Sequence, residues 1–152
     1  NQVIFEVGNI AFYSRLLDGQ YPDTDRLIPT ESTTSVEFEL PVLARSLERA
    51  SLLTHESRNN VVKMTLDVQN KLVKLQGDSP EIGNVEEEIG FKNLEGEGLT
   101  ISFNPDYLRE ALRASITDSI IMNFTQPLRP FTVVPAKQDV NFTQLITPVR
   151  TF

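Results

Sequence analysis

The sequence predicts an α+β fold in which one βαβββ unit occurs twice and two helices pack on antiparallel sheets. Two segments with helical periodicity, 41–54 and 105–115, each follow a short strand-like run. Three runs rich in β-branched or aromatic residues, the composition that strands favour, come after each helix. Residues 41–51 laid over 105–115 agree at five of eleven positions. We infer an internal duplication.

The first elements lie before the repeat. Residues 3–7 and 10–17 are two strand-like runs around Gly8-Asn9, which is a hairpin turn signal. The stretch 21–35 then contains prolines and several polar residues and has the composition of a connector. Because the chain opens directly on strands, we expect it to begin inside one domain and to enter a second domain after the connector.

The two units have the same order of elements. The first is predicted as strand 36–40, helix 41–54 and strands 61–68, 71–76 and 85–91, and the second as strand 99–103, helix 105–115 and strands 119–125, 129–135 and 142–148. Pro41 and Pro105 occupy the first helical position, where the missing N–H costs nothing, and Asn104 is a suitable N-cap. The residues themselves therefore predict where both helices start.

Each helix has one apolar face and one basic face. Apolar side chains recur at spacings of three and four, so one face of each helix packs on a sheet; they are Leu43, Leu47, Ala50, Leu108, Ala111 and Leu112. The opposite faces present Arg45, Arg49, Arg109 and Arg113, with about 6 Å along the axis between the two arginines of a helix. Two interpretations remain open here: basic stripes that bind an anionic partner, or solvated faces balanced by Glu48 and Glu110.

The composition excludes several classes of protein. With 39% hydrophobic and 23% charged residues, the 152-residue chain is expected to fold as an ordinary globular protein. It contains no cysteine, which excludes disulfides and thiolate metal sites and fits the cytoplasm. Since no apolar run is long enough to span a bilayer, we expect neither a membrane span nor export. The net charge of −7 means that any contact with DNA requires a local basic patch.

No set of residues predicts catalysis, a metal site or a cofactor. His55 is the only histidine and lies near no nucleophile elbow, and the glycines form no phosphate-binding fingerprint. Two groups of carboxylates remain. Asp23 with Asp25 fits a turn, whereas Glu86–Glu88 fits either a charged edge strand or contact with a basic partner. We therefore expect a binding protein without metal or cofactor.

Four stretches of the chain resemble one protein family. They are LDGQYPD at 17–23, RLIP at 26–29, ISFNPDYL at 101–108 and LITPVRT at 145–151. In this order they resemble the bacterial DNA polymerase III β subunit, the sliding clamp, in the form found in Gram-positive bacteria. The resemblance covers nearly the whole chain.

The resemblance implies the DNA-clamp fold. Chains of that family have three similar domains, and two chains close head to tail into a ring with helices inward. Residues 1–31 would then be the end of the second domain with its connector, and residues 32–152 the third domain. The basic stripes would face duplex DNA and neutralise phosphates without recognising bases; this set is Arg45, Arg49, Arg109 and Arg113.

The resemblance also implies a pocket that binds short linear peptides of other proteins. Its apolar walls would accept leucine or phenylalanine side chains, and a few polar groups would fix the peptide backbone. The residues at matching positions are Pro22, Arg26, Leu27, Asn104, Tyr107, Leu128, Pro130, Leu145, Ile146, Thr147, Pro148, Val149 and Arg150.

A subunit interface is implied in the first unit, at Leu52, Leu53, Glu81, Glu86 and Glu87. Two adjacent leucines cannot both face one core on a helix, so one of them is exposed or buried in a partner. Gly83 and Asn84 occupy positions where some family members have acids, which predicts a weaker ionic contribution.

The function implied by the resemblance is that of a noncatalytic processivity factor in the cytoplasm. Its partners would be double-stranded DNA, a second copy of the chain in the full-length ring, the replicative polymerase α subunit, the clamp loader and repair proteins. The alternative is a stand-alone peptide-binding assembly domain without a DNA role. A hydrolase or transferase is a distant third hypothesis, because no residues supply an acid, a base and a nucleophile together.

Overall fold

The computed structural model describes residues 1–55, 60–137 and 141–151. The predicted third domain, 32–152, therefore includes 56–59, 138–140 and 152, which lie outside the described residues. Strands β1 (Gln2–Val7) and β2 (Ile10–Arg15) form a separate antiparallel hairpin, as the sequence predicts. A 3-10 helix at Thr24–Arg26 follows in the connector.

The first unit contains one helix and four strands. Its elements are β3 (Thr34–Glu39), α1 (Leu40–Thr54), β4 (Val62–Asp67), β5 (Leu72–Ser79) and β6 (Gly83–Glu88). Buried and half-buried residues alternate along β3 and β4, which is the pattern of strands with one face on the core. Pro41 lies in the first turn of α1, where a proline is tolerated.

The second unit repeats this arrangement after one additional strand, β7 (Asn93–Gly96). Its elements are β8 (Leu99–Phe103), α2 (Pro105–Ala114), β9 (Ser119–Phe124), β10 (Phe131–Pro135) and β11 (Gln144–Ile146). The side chain of Asn104 accepts a hydrogen bond from the Asp106 N–H at 2.9 Å, which confirms the predicted N-cap of α2.

The two units exchange their first strands. One sheet has the order β11-β10-β9-β3-β7, and the other has the order β6-β5-β4-β8. Strand β3 of the first unit thus pairs with β9, whereas β8 of the second unit pairs with β4. All of these pairings are antiparallel. The exchange joins both units around one core.

The core lies between the helices and the two sheets. Leu43 and Leu47 of α1 and Leu108 of α2 are buried, as their spacing predicts. Phe103 of β8 and Phe131 of β10 meet edge to face with ring centroids 5.4 Å apart. Since these residues come from both units, burial of apolar surface stabilises the units together rather than separately.

Two glycines permit close approaches in this architecture. At Gly77 in β5, a Cβ atom would lie 2.7 Å from the Ala50 carbonyl oxygen, so α1 rests directly on the strand there. Gly96 at the end of β7 has φ +102°, and a Cβ atom would lie 2.0 Å from the Thr33 carbonyl oxygen. Neither position accommodates a side chain without movement of the backbone.

The predicted elements are all present, but several bounds differ: β2 ends at Arg15 instead of 17, β5 extends to Ser79 instead of 76, and β6 is Gly83–Glu88 instead of 85–91. Strand β7 was not predicted. Strand β10 begins at Phe131 rather than at 129, because 126–130 forms a turn with Pro127 and Pro130. Only Gln144–Ile146 of the predicted strand 142–148 is a strand, and Pro148 makes an isolated bridge to Phe103.

Candidate functional site

The two helices pack against each other and hold four arginines on their polar sides. Arg45 is exposed, and its Nε donates to the Pro41 carbonyl oxygen at 3.0 Å within α1. Arg113 is exposed in the last turn of α2. Among residues 1–55, 60–137 and 141–151, neither guanidinium forms an ion pair. Arg45 and Arg113 are therefore available to an anion from solution.

Arg49 has a different environment from Arg45, although it lies one turn further along α1. Its guanidinium donates to both carboxylate oxygens of Glu87 on β6, at 3.0 Å from Nε to Oε2. Ser46 also donates to Glu87, at 2.9 Å. The hydrogen bonds from Arg49, together with that from Ser46, lower the pKa of the Glu87 carboxyl. The bonds to Glu87 in turn raise the pKa of Arg49. The positive charge of Arg49 is thus already compensated within the chain.

Arg109 is compensated by its own helix. Its Nη2 lies 2.5 Å from Asp106 Oδ1, which is an ion-pair distance, although this buried oxygen lacks the angles of a hydrogen bond. Asp106 Oδ2 accepts a hydrogen bond from Asn60 at 2.6 Å, and His55 lies 3.5 Å from Oδ1. Asp106 therefore links the start of α2 to the residues at and just after the end of α1. Because its charge is partly neutralised by Asp106, Arg109 is less available to an anionic ligand than Arg113.

A groove lies where the connector meets the β9–β10 turn. It has a volume of about 320 Å³, and its lining consists of Arg26, Leu27, Ile28, Pro29, Thr125, Gln126, Arg129 and Pro130. Arg26, Leu27 and Pro130 belong to the peptide pocket that the sequence predicts. Pro22 is exposed and is not part of this lining, while Leu128 is 57% exposed beside it in the turn.

The C-terminal tail lies next to this groove. In the β10–β11 ladder Phe131 pairs with Ile146, so Pro130 and Thr147 are neighbours where the ladder ends. Val149 then donates its N–H to the Ser102 carbonyl oxygen at 2.7 Å, which holds the tail along β8 beside the cap of α2. This register places Thr147 beside Pro130 of the groove wall and Val149 near the start of α2, while the groove lining itself contains none of the predicted tail residues.

The predicted pocket residues differ in how much surface they offer. Tyr107, on the first turn of α2, is 54% exposed, and Thr147 and Arg150 are also exposed. Asn104, Leu145, Pro148 and Val149 are half-buried. Ile146 is only 3% exposed and packs in the core, so its side chain supports the site from beneath instead of forming its surface.

The predicted interface residues surround β6, which pairs only with β5 among the described strands and leaves its other edge open. Leu52 on α1 is 72% exposed and Leu53 is half-buried. Glu81 is exposed in the β5–β6 turn. Glu86 accepts hydrogen bonds from Lys74 at 2.6 Å and Gln76 at 2.5 Å, and these lower the pKa of Glu86. With Glu87 bound to Arg49, two of the three predicted acids have partners within the chain.

Sequence reasoning missed part of the groove and the contacts around Asp106. Arg129 lies between Leu128 and Pro130, both of which were predicted, and the turn signal Gln126-Pro127 could have indicated that the whole segment lines the site. No local signal indicates that Asn60 binds Asp106, since the two residues are 46 positions apart.

The duplicated βαβββ architecture, with exchanged strands and paired helices, defines a domain of the clamp class. Residues 25–150 match the family described as DNA polymerase III beta subunit, C-terminal domain, and the chain belongs to this family. It is 49% identical over 151 residues to the beta sliding clamp of Streptococcus pneumoniae serotype 4, covering 99% of this chain and 39% of that protein.

Solved structures agree with this assignment. The crystal structure of the DNA polymerase III beta chain of Streptococcus pneumoniae superposes with a TM-score of 0.89 at 48% identity, over 99% of this chain and 40% of that one. The sliding clamp of Bacillus subtilis gives a TM-score of 0.86 at 43% identity with coverage of 99% and 40%. The chain thus spans about two-fifths of the length of the relatives it matches. The predicted family, its Gram-positive form and the fold class are confirmed.

Within residues 1–55, 60–137 and 141–151, no helix is both long and apolar enough to cross a membrane. In the same residues, no three histidine, aspartate or glutamate side chains gather in a way that could hold a metal ion.

Proposed function

We propose that the chain is the C-terminal part of a cytoplasmic sliding clamp, a noncatalytic processivity factor that encircles duplex DNA and binds linear peptides of replication and repair proteins. Membership of the DNA polymerase III beta subunit family is the observation on which the proposal rests. The names of the relatives do not favour the alternative of an assembly domain without a DNA role.

The peptide site proposed for this function is the groove together with the tail and the first turn of α2. Exposed apolar side chains such as Leu27 and Leu128 stand next to backbone and side-chain polar groups, which is the usual composition of a peptide pocket. Its partners would be the polymerase α subunit, the clamp loader and repair proteins.

The proposed site is tested by titrating the chain with a fluorescently labelled pentapeptide of the type Gln-x-x-Leu-Phe. Tyr107→Ala and Leu128→Asp change exposed side chains, so we expect both variants to fold and to bind at least tenfold more weakly, as loss of an apolar anchor predicts. Anisotropy measures the affinity, and circular dichroism verifies the fold.

The matched control is Ile116→Asp. Ile116 is 84% exposed and follows the opposite end of α2 from Tyr107, so its replacement leaves the proposed site intact. Equal weakening by Ile116→Asp, or unchanged binding by Tyr107→Ala and Leu128→Asp, contradicts the site assignment.

The DNA-facing surface is proposed to use Arg45 and Arg113 more than Arg49 and Arg109, because the last two are compensated by Glu87 and Asp106. Contacts that neutralise phosphates without recognising bases allow a ring to slide. The chain is acidic overall, which limits contact with DNA to this face.

Nuclear magnetic resonance of the arginine Nε–H groups tests which of the four arginines contact DNA most strongly. When a short duplex is added at low salt, we expect the signals of Arg45 and Arg113 to shift most and the shifts to vanish at high salt. Arg15 on the hairpin is the internal control, since it is exposed and lies outside both helices. Larger shifts at Arg15 than at Arg45 and Arg113 contradict the proposed surface.

In the full-length protein, the proposed homodimer contact is the open edge of β6 with the exposed Leu52. An unpaired strand edge can add a strand from another chain, and an exposed leucine beside it supplies apolar surface. Glu81 remains available for an ionic contact, because Glu86 and Glu87 are bound within the chain.

A further inference from the structure

The groove beside the connector has a basic rim in addition to its apolar walls. Arg26 and Arg129 approach it from opposite sides of the chain, one from the connector and one from the β9–β10 turn. Leu27, Ile28 and Pro130 supply apolar surface between them. The lining contains no acidic side chain. In a chain of net charge −7, a groove of this composition selects against basic ligands and for acidic ones.

The charge of Arg129 is available, unlike that of Arg49 or Arg109. In the part of the chain that the structure describes, Arg129 forms no ion pair, and only its backbone N–H is engaged, with the Gln126 carbonyl oxygen at 3.1 Å. Arg26 holds Asp23 at 2.8 Å, but both side chains are largely exposed. An exposed pair of this kind contributes little to stability, so a ligand carboxylate can replace Asp23.

The two walls of the groove are held in a fixed relation. Thr33, near the end of the connector, donates its N–H to the Phe124 carbonyl oxygen at 2.8 Å and its hydroxyl to the Thr125 carbonyl oxygen at 2.7 Å. Pro29 and Pro130 restrict the backbone on either side. A groove whose walls are positioned before binding loses less conformational freedom when a ligand enters.

We propose that Arg129, with Arg26 beside it, binds an acidic side chain of the peptide that occupies the proposed pocket. The inference rests on the proposed function, because it assigns a specificity to the same site. The occupant is an extended peptide whose apolar anchors lie against Leu27 and Pro130 and whose flanking aspartate or glutamate meets the Arg129 guanidinium. A guanidinium suits this role because its planar donors match the two oxygens of a carboxylate.

The test compares labelled peptides that differ only in the flanking residue. Four are used, each with the same Gln-x-x-Leu-Phe anchors: glutamate or glutamine immediately before the anchors, and glutamate or glutamine immediately after them. For the 152-residue chain we expect glutamate to improve the affinity about threefold to fivefold on one side, the size of effect given by a single exposed ion pair. The preference should decline as salt is raised.

Two variants assign the preference to Arg129. The two variants are tested with the glutamate and glutamine peptides of whichever side shows the preference. Arg129→Gln is expected to bind these two peptides equally, and Arg129→Glu is expected to prefer the glutamine peptide. Arg15→Gln removes the same charge from the hairpin and should leave the preference unchanged. Arg129 is exposed and its side chain has no partner among the described residues, so these variants should fold, as thermal unfolding will verify.

The outcomes separate this inference from the proposed function. If the chain binds all four peptides equally, the acidic specificity is wrong and the peptide site remains. If Arg129→Gln retains the preference for glutamate, a different residue recognises the acid and the inference is overturned. If the folded chain binds none of the peptides, both the site and its specificity are overturned.

Discussion

Equivalent helical arginines of the two βαβββ units differ in whether they are paired. Among the described residues, Arg45 has no ion pair whereas its equivalent Arg109 has one, and Arg49 has an ion pair whereas its equivalent Arg113 has none. In the first unit, Arg49 of α1 binds Glu87 on β6, the edge strand of its own sheet. In the second unit, Arg109 of α2 binds Asp106 in its own helix, and Asp106 also accepts a hydrogen bond from Asn60 beyond the end of α1. Helix α1 is therefore linked to strand β6, and helix α2 is linked to the segment that follows α1.

The difference follows from what lies opposite each helix. Gly77 lets α1 rest directly on β5, so that the side chain of Arg49 reaches the adjacent strand β6. Helix α2 starts on the Asn104 cap, and Asp106 in its first turn lies 3.5 Å from His55, the residue that follows α1. A duplicated sequence pattern thus preserves the fold while the surroundings decide which charges remain free.

The largest expected effect comes from replacing the glycine under α1. Gly77→Ala places a Cβ atom against the backbone of Ala50, so α1 must move, and we expect the free energy of unfolding to decrease by about 3 kcal/mol. Denaturant unfolding measures this free energy for the wild type and the variant. Gly90→Ala is the matched control, because a Cβ atom there meets nothing within 4 Å. Equal stability of the two variants would show that α1 does not rest closely on β5.

Removing the link between the helices should have the next largest effect. Asp106→Ala leaves Arg109 and Asn60 without their carboxylate partner, and we expect a loss of about 2 kcal/mol in the free energy of unfolding. Glu110→Ala, on the exposed face of α2, should change stability by less than about 0.5 kcal/mol. Similar unfolding midpoints for both variants would mean that Asp106 does not tie the helices together.

The smallest effect is expected at the link between helix and strand. Glu87→Gln weakens a partly exposed ion pair, which contributes below about 1 kcal/mol near neutral pH. Since Arg49 lowers the pKa of Glu87, this contribution is present above the unfolded glutamate pKa of about 4.3 and is lost as the pH falls through the lowered native value.

Urea unfolding of the wild type and Glu87→Gln between pH 7 and pH 3 measures that dependence. The two proteins should differ most near pH 7 and converge in acid. Glu88→Gln, which changes the neighbouring exposed residue of β6, controls for the loss of a negative charge. A stability difference that persists at pH 3 would contradict an ionic contribution from Glu87.

Most helices and strands could be predicted from the sequence because their signals are local. Pro41, Pro105 and Asn104 mark the helix starts, and alternation of apolar with polar residues marks β3 and β4. Strand β7 has no comparable signal, since it is four residues long, ends in Gly96 and has only Leu94 half-buried. Its pairing with β3 comes from the fold rather than from its own composition.

The prediction of the candidate site comes from family resemblance more than from residue patterns. Leu27, Leu128 and Pro130 have no spacing in the sequence that indicates a common groove, because connector and turn meet only in the folded chain. The partner of Arg49 was also unpredictable, since Glu87 is 38 positions away. The charge left on each helix depends on these long-range contacts, which is why four arginines that look equivalent in the sequence are not equivalent in the structure.

The strand exchange between the units has a consequence for synthesis on the ribosome. Strand β3 leaves the ribosome early, yet its partners β7 and β9 are made only at residues 93–96 and 119–124. Likewise, β4 lacks one neighbour until β8 has been made. Pairings between distant segments form slowly, and unpaired strand edges bind other chains meanwhile. The nascent first unit is therefore an unfinished sheet whose edge stays unpaired until the second unit emerges.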